Sequence, residues 1–376
     1  MTAINIVSSE YVPIPAAAAS RVVPWVEELS KLGFDVRIFT SKASKDQGDP
    51  IVISSFFGIP NNKAPLLKRF LQEVLLGLDL GIRIWLNRKH SDGCIITSPP
   101  FFMACICAFF AKQANIPFIF DVRDRYPRVL ADLGYLNDFG LLHSILGYLE
   151  SWIYSRAQLV TTVTNGLVSE LVFSYPKRNF QLVRNGFDEL VFTDELLNFD
   201  KRSAFTVVYH GRLGRFYDLD TYLEIIKIIH DLDSSIRFIM VGELPQEIYL
   251  NKPPNLQILP AMKLDSLSKI LASCHLGICL LRDLPAMKNA FPAKAYDYIG
   301  AGIPILAGPD GEFSQMVEEL NIGISFEKVS ANKVADSILE IKNKKDNWSK
   351  MCTQVKKNRK NFGRRKIAQE FFKREL

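Results

Sequence analysis

The stretch Phe291-Pro-Ala-Lys-Ala-Tyr-Asp-Tyr-Ile-Gly-Ala-Gly-Ile-Pro-Ile-Leu306 reads as a short helix feeding a buried strand, and its charges sit where helix physics would not choose them. Pro292 is expected as the first helical residue, which puts Lys294 in the first turn, where free N–H groups and the helix dipole repel a cation. Such a cation is expected to await an anion. Asp297 and Tyr298 follow Lys294 by three and four residues on the same face, and Gly300 with Gly302 close the helix. A basic group, a carboxylate and a helix N-terminus thus converge, which suits a nucleotide's phosphates and ribose. A local Lys–Asp or Lys–Tyr pair on an ordinary surface helix is the plainer alternative.

Outward from this stretch, short apolar strands alternate with helical patterns in both directions. Strands are expected near 4–7, 36–39, 51–53, 94–97, 118–121 and 159–163, and again near 206–209, 237–241, 256–259, 276–280 and 303–306. Between the two series, Asn185-Gly186-Phe187-Asp188 through about Lys201 is turn-rich and polar and reads as a linker. The expected fold is α/β, two doubly wound Rossmann-like domains facing each other across a cleft, over 1–190 and 200–350. In such folds ligands bind beyond the carboxyl ends of the strands.

Composition narrows the class. The chain has 376 residues, enough for two domains with their own cores. With 48% apolar and 23% charged residues it is a folded protein rather than a disordered one. Its six cysteines show no paired metal spacing, which fits a reducing compartment. Met1 to Ser9 enter a strand-like run without a basic n-region or cleavage site, so no secretory leader is expected. The most apolar run, 95–120, is broken by Lys112, Gln113, Asn115 and Pro117, which excludes a clean membrane span.

Charge is uneven. Residues 341–376 hold thirteen Lys or Arg against three Asp or Glu, whereas the whole chain carries only +6, leaving the body slightly acidic. A basic tail implies an anionic contact. Nucleic acid is not expected, because no aromatic-interleaved basic patch or reading helix accompanies the tail. An anionic membrane surface suits it better, at about 1 kcal/mol per cation near the lipid, and a solvated basic helix is the alternative. Residues 63–90 add a second membrane candidate: Leu67, Phe70, Leu71, Val74, Leu75 and Leu78 form a wide apolar face flanked by Lys63, Lys68, Arg69, Arg83, Arg88 and Lys89. A core-facing helix would look similar.

The expected strand ends supply the remaining candidates. After the first strand, Ala16 and Ala17 open a small-residue helix start that lets a phosphate or sugar approach the backbone. After the fifth, Asp121-Val-Arg-Asp-Arg-Tyr-Pro127 places Asp124 where it can contact sugar hydroxyls or a developing positive charge; a surface cluster of Arg123, Asp124 and Arg125 is the alternative. In the second half, Tyr209-His-Gly211-Arg212-Leu-Gly214-Arg215 combines tight turning with two guanidinium groups able to grip a diphosphate. Gly242 marks another tight exit. His210 and the other four histidines read as structural. The triplets Asp218–Asp220 and Asp231–Asp233 sit at helix ends and read as caps, so no metal site is expected. Without a metal, the leaving group's charge falls to Arg, Lys and backbone N–H groups.

These pieces together resemble GT-B glycosyltransferases of family 4, in particular the bacterial O-antigen and capsule branch that includes N-acetylfucosamine transferases. The resemblance rests on Thr97-Ser-Pro-Pro100, Val122-Arg-Asp124 with Tyr126-Pro127, Arg184-Asn-Gly-Phe-Asp188, Tyr209-His-Gly-Arg-Leu-Gly214, and Phe291 to Tyr298 with Gly302-Ile-Pro304, in the family's order. It implies retaining transfer of a hexosyl group from a nucleotide diphosphate sugar, most often UDP-linked, with no further cofactor. It also implies that Arg212, a basic partner and Lys294 hold the diphosphate, that Asp297 binds the ribose, and that Asn289, Phe291, Pro292 and Ala293 line the donor site. The last helix, within 351–376, is expected to pack back on the first domain. The implied acceptor is an undecaprenyl-diphosphate-linked glycan, with the enzyme peripheral on the cytoplasmic membrane's inner face.

The sequence departs from the family pattern at four points. Of two glutamates usually eight residues apart, the positions here read Asn289 and Asp297. The expected lysine five residues after Arg212 is Tyr217, for which Arg215 is a candidate substitute. Alanines replace the first glycine-rich loop, and Asp124 stands where many relatives carry a histidine. A UDP-sugar 2-epimerase and a non-catalytic nucleotide-sugar-binding subunit are the competing functions.

Overall fold

The computed structural model describes residues 2–12, 17–42, 50–61, 64–126, 128, 140–214, 216–250 and 252–375. Two compact units form, Met1–Arg184 with Ala368–Leu376, and Asn185–Ile367. The first holds β1 (Ala3–Val7), β2 (Asp35–Thr40), β3 (Ile51–Ser54), β4 (Gly93–Ser98), β5 (Phe118–Val122), β6 (Leu159–Thr162) and β7 (Phe180–Leu182), in the order β3-β2-β1-β4-β5-β6-β7. The second holds β8 (Thr206–His210), β9 (Arg237–Val241), β10 (Leu256–Leu259), β11 (Leu276–Leu280), β12 (Ile305–Gly308) and β13 (Gly323–Ser325), in the order β10-β9-β8-β11-β12-β13. Every pairing is parallel. Parallel strands need crossover helices and lie buried on both faces, hence their unbroken apolar runs such as Leu276–Leu280. Strand order reverses between β1 and β4 and between β8 and β11, and each reversal opens a crevice at the strands' carboxyl ends.

The stretch read as a linker is built into the second unit. Phe187, Phe192 and Leu196 are buried in its core, and Phe187 pairs with Gly363 through a parallel bridge. Gly186 has φ +68°, and a Cβ there would lie 2.7 Å from Phe362 O. Only glycine fits that turn and that approach. The run is rich in turn residues, but its phenylalanines decide the outcome.

In the first unit α1 spans Ala17–Lys31, α2 Leu66–Leu86 and α3 Phe101–Gln113. The apolar face singled out at 63–90 is not the core face of α2. Glu73, Leu76, Gly77, Leu80, Gly81 and Ile84 are buried, whereas Leu67, Phe70, Leu71, Leu75 and Leu78 are exposed. Two glycines decide which face goes in: a Cβ on Gly77 would lie 3.0 Å from Met103 Cα, and one on Gly81 2.3 Å from the Phe110 ring. Their absence lets α2 lie close on α3. Among the described residues no helix is long and apolar enough to cross a membrane. The chain's last turns pack Phe371 and Phe372 on Trp25, with ring centroids 6.2 and 6.0 Å away.

Candidate functional site

At the switch point of the second sheet the chain leaves β8 through Gly211, with φ +94°, and leaves β9 through Gly242, with φ +136°. Side-chain-bearing residues rarely adopt either conformation. A Cβ on Gly242 would lie 2.5 Å from Gly211 O, so the two exits touch backbone to backbone. Their N–H groups are committed to Val241 O (2.8 Å) and Leu259 O (3.0 Å). These glycines therefore supply room rather than hydrogen-bond donors. The room opens toward Lys294, whose Cε and Nζ would be 3.7 and 4.0 Å from a Cβ on Gly211.

The helix carrying Lys294 spans Ala293–Gly300, and Pro292 is its N-cap rather than its first residue, with ψ 134° and its carbonyl accepting from Ala295 N–H. Lys294 is 7% exposed. Its Nζ donates to Tyr209 Oη at 2.7 Å and stands 3.8 Å from the ring centroids of both Tyr209 and Tyr217. The cation read as waiting for an anion is thus already cushioned by two aromatic faces. Burial pushes its pKa down to about 8. Tyr209 Oη also donates to Arg212 O at 3.0 Å, fixing the backbone where the exposed Arg212 side chain departs.

Asp297 lies one turn further along. Burial raises its carboxyl to about 7, with Asp188 adding to the rise and Arg364 and Lys294 opposing it. His210 Nε2 stands 3.5 Å from Asp297 Oδ2, buried and without a hydrogen-bond partner. Burial, reinforced by the nearby Lys294 charge, pushes the imidazole down to about 3, so it is neutral at ordinary pH. His210 had read as structural, and 87 positions separate it from Asp297. The available signal was its place as the last residue of β8, at the switch point.

Other expected residues fall differently. Phe291 is a core ring, 4.4 Å from Tyr296 and 5.3 Å from Phe313, so its side chain anchors the loop instead of lining the site. Tyr298, which shares the helix, turns into the sheet with its hydroxyl 3.2 Å from Val208 O and Ile278 O. Ala293 is exposed on the first turn, and Asn289 is half-buried in the turn after Pro285–Met287 and engaged in contacts of its own. Asp218 caps the helix Leu219–Leu232, its carboxylate accepting from Asp220 N–H and the Thr221 hydroxyl. Ala16 and Arg215 lie outside the described residues, and Ala17 opens α1.

In the first unit Asp124 stands exposed two residues beyond β5. Its neighbours do not pair with it. Arg123 turns back to the carbonyls of Ser98 and Pro99, and Arg125 binds Glu170 at 2.5 Å and approaches Glu150 at 3.4 Å. Among the described residues Asp124 makes no hydrogen bond or short ion pair, although the Arg123 and Arg69 charges act on its carboxylate. Asp121, inside β5, is buried in a bidentate pair with Arg21 of α1, at 2.9 and 2.7 Å.

Two Rossmann-like units, with a buried lysine and an acid at a strand-end switch point, define a doubly wound α/β protein with a candidate ligand site. Comparison with known proteins makes the class specific. Residues 18–189 match the family described as Glycosyltransferase Family 4, and residues 198–362 match Glycosyl transferases group 1. The chain therefore belongs to the glycosyltransferases of the GT-B fold. Among solved structures, sucrose-phosphate synthase from Thermosynechococcus elongatus is similar with a TM-score of 0.73 at 14% identity, covering 99% of this chain and 98% of that one. Anabaena HepE in complex with UDP-glucose is similar with a TM-score of 0.68 at 14% identity and 99% coverage of both chains. WaaG, a glycosyltransferase involved in lipopolysaccharide biosynthesis, gives 0.66 at 11% identity and 98% coverage of both. No match is found among curated protein sequences.

Proposed function

We propose that this glycosyltransferase is a retaining, metal-independent enzyme that moves a sugar from a UDP-linked donor to a lipid-linked glycan acceptor in bacterial surface-polysaccharide assembly. The observation that carries this reading is the buried Lys294 facing the open side of Gly211, with Asp297 one turn away. The diphosphate lies against Gly211, where no Cβ intervenes, and Lys294 and Arg212 offset its charge. Ionised Asp297 accepts from the ribose hydroxyls, and His210 behind it limits how far the carboxylate can swing. The acceptor hydroxyl attacks the anomeric carbon on the face from which UDP departs. The bond to the acceptor oxygen forms as the bond to the phosphate oxygen breaks, and that phosphate oxygen takes the hydroxyl proton. Asp124 of the first unit is assigned to orienting the acceptor. HepE's UDP-glucose and WaaG's pathway support the donor and the setting by analogy.

The test is transfer from a panel of UDP-sugars to a detergent-solubilised polyprenyl-diphosphate glycan, with EDTA present, reading the product anomer by NMR. Retention of configuration is expected, and Lys294→Ala should lose about 2–4 kcal/mol of transition-state stabilisation. A donor epimerised at C2 without acceptor, or UDP-sugar bound with no transfer across the panel, would sink the proposal.

A further inference from the structure

The first unit contains a cavity of about 1030 Å³ that the donor chemistry does not use, walled by α2, α3 and the helix Leu141–Arg156. It is at the upper end of the range of about 300–1,000 Å³ typical of ligand pockets. Phe70 and Val74 of α2, Ile106 of α3, and Ile145 and Trp152 of the third helix present its apolar walls. Several of these side chains are open to solvent, Phe70 at 38% and Ile145 at 48%, a costly arrangement for a face with no occupant.

Arg69, Glu73 and Tyr126 add polar groups to the lining of the groove. There Arg69 binds the buried Glu73 through Nε at 2.9 Å, and Glu73 in turn accepts from Phe102 N–H at the start of α3. The rest of the five-donor guanidinium makes no further hydrogen bond among the described residues, and its charge also acts on Asp124 and Tyr126. Lys68 beside it is exposed. Tyr126 lines the groove and lies two residues beyond Asp124, so the groove adjoins the exit of β5. Apolar walls with cations close to Asp124 suit an unbranched or isoprenoid chain carrying a phosphate head.

We infer that this groove seats the hydrocarbon tail of the acceptor lipid, with Arg69 and Lys68 on its phosphate and the attached sugar leading to Asp124. The inference rests on the reading of the chain as a transferase acting on lipid-linked acceptors. The tail then fixes the distance from membrane anchor to reacting hydroxyl, and a bulk bilayer is not required for recognition.

Farnesyl phosphate, held below micelle-forming concentration, serves as the probe, with binding read from tryptophan fluorescence because Trp152 lines the groove. Wild type should bind it, inorganic phosphate at equal concentration should give no signal, and Phe70→Asp or Ile145→Asp should each weaken binding about tenfold by placing a carboxylate beside the chain. Both positions are partly exposed, so circular dichroism and the UDP-induced thermal shift should be unchanged. No binding by folded wild type, equal binding by both variants, or uptake by phosphatidylglycerol vesicles that the variants share while the soluble probe fails, overturns the inference. Loss of tail binding with transfer to a water-soluble acceptor intact leaves the functional reading standing. Tail binding without any UDP response defeats that reading and leaves the groove.

Discussion

Lys294 and Asp297 place opposite demands on the same few ångströms. A diphosphate needs the ammonium, and the ribose needs the carboxylate. Burial has lowered Lys294 to about 8 and raised Asp297 to about 7, so both charged forms coexist only in a narrow window. UDP should bind best between about pH 7 and 8, weakening above it as Lys294 loses its proton and below it as Asp297 gains one. For the free protein the signs are separate. The folded state holds fewer protons on Lys294 than the unfolded chain between about pH 8 and its ordinary 10.5, so this residue's contribution to stability improves as pH rises through that range. Asp297 does the reverse, losing contribution as pH rises from 3.8 to about 7. Calorimetric titration of UDP from pH 6 to 9.5 checks the window, with Lys294→Arg expected to remove the upper limb and Asp297→Asn the lower. A flat wild-type profile would contradict the assignment. At this scale dipole, spacing and turn rules are local, which is why they single out Lys294, Asp297 and Gly211, residues that the fold brings close together. Tyr217 was noticed only as a missing lysine, yet its ring covers Lys294. Neither it nor His210 could be placed without knowing which strands lie side by side. The ring of Phe291 turns into the core, which a motif does not reveal because it lists residues without saying which way an aromatic ring turns.

Among the elements, strands with continuous apolar runs were readable within about two residues, and β9, β10 and β11 fall where expected. β7 and β13 passed unnoticed since three residues carry too little pattern to separate from a loop. β12 begins at Ile305 rather than 303, because Gly302 at φ +73° is still turning. Helix α2 shows a different limit: both of its faces are apolar at helical spacing, and periodicity does not choose between them. The choice was written in Gly77 and Gly81, residues that hydrophobic counting passes over. Gly81→Val should therefore cost about 1–3 kcal/mol by forcing Phe110 aside. Gly147 provides the contrast, since a Cβ there meets nothing within 4 Å. In the helix Leu141–Arg156, Gly147→Ala should stabilise by about 0.5–1 kcal/mol. Urea midpoints of the two variants moving in the same direction would refute the close packing of α2 on α3.

Across the whole chain, the two-domain α/β organisation follows from strand and helix alternation, whereas the role of the basic tail does not follow from its charge. Many of its cations are structural. Arg359 binds Gly300 O at 2.9 Å and also engages Asp194 and Phe192 O. Arg364 holds the carbonyls of Asn185 and Gly186, and Arg365 pairs with Asp188. Glu189 accepts from the N–H groups of Arg365 and Lys366 at the start of the helix Arg364–Glu375, an anion where the helix dipole favours one. What remains for an anionic surface is the exposed set on the helix Lys345–Arg359 and just beyond, including Lys356, Lys357 and Lys360. Anchoring and attraction thus reside in different residues and can be separated. Phe372→Ala should lower stability by about 3–5 kcal/mol by emptying its site against Trp25, while leaving vesicle binding of the folded fraction unchanged. The triple variant Lys356→Glu, Lys357→Glu and Lys360→Glu should alter the unfolding free energy by at most about 0.5 kcal/mol per substitution. It should also abolish salt-dependent binding to phosphatidylglycerol vesicles, since each cation near anionic lipid contributes about 1 kcal/mol. Vesicle flotation at 50 and 300 mM salt distinguishes the two variants, and binding by the triple variant that stays salt-dependent and undiminished would mean that the tail's charge does not attract the membrane.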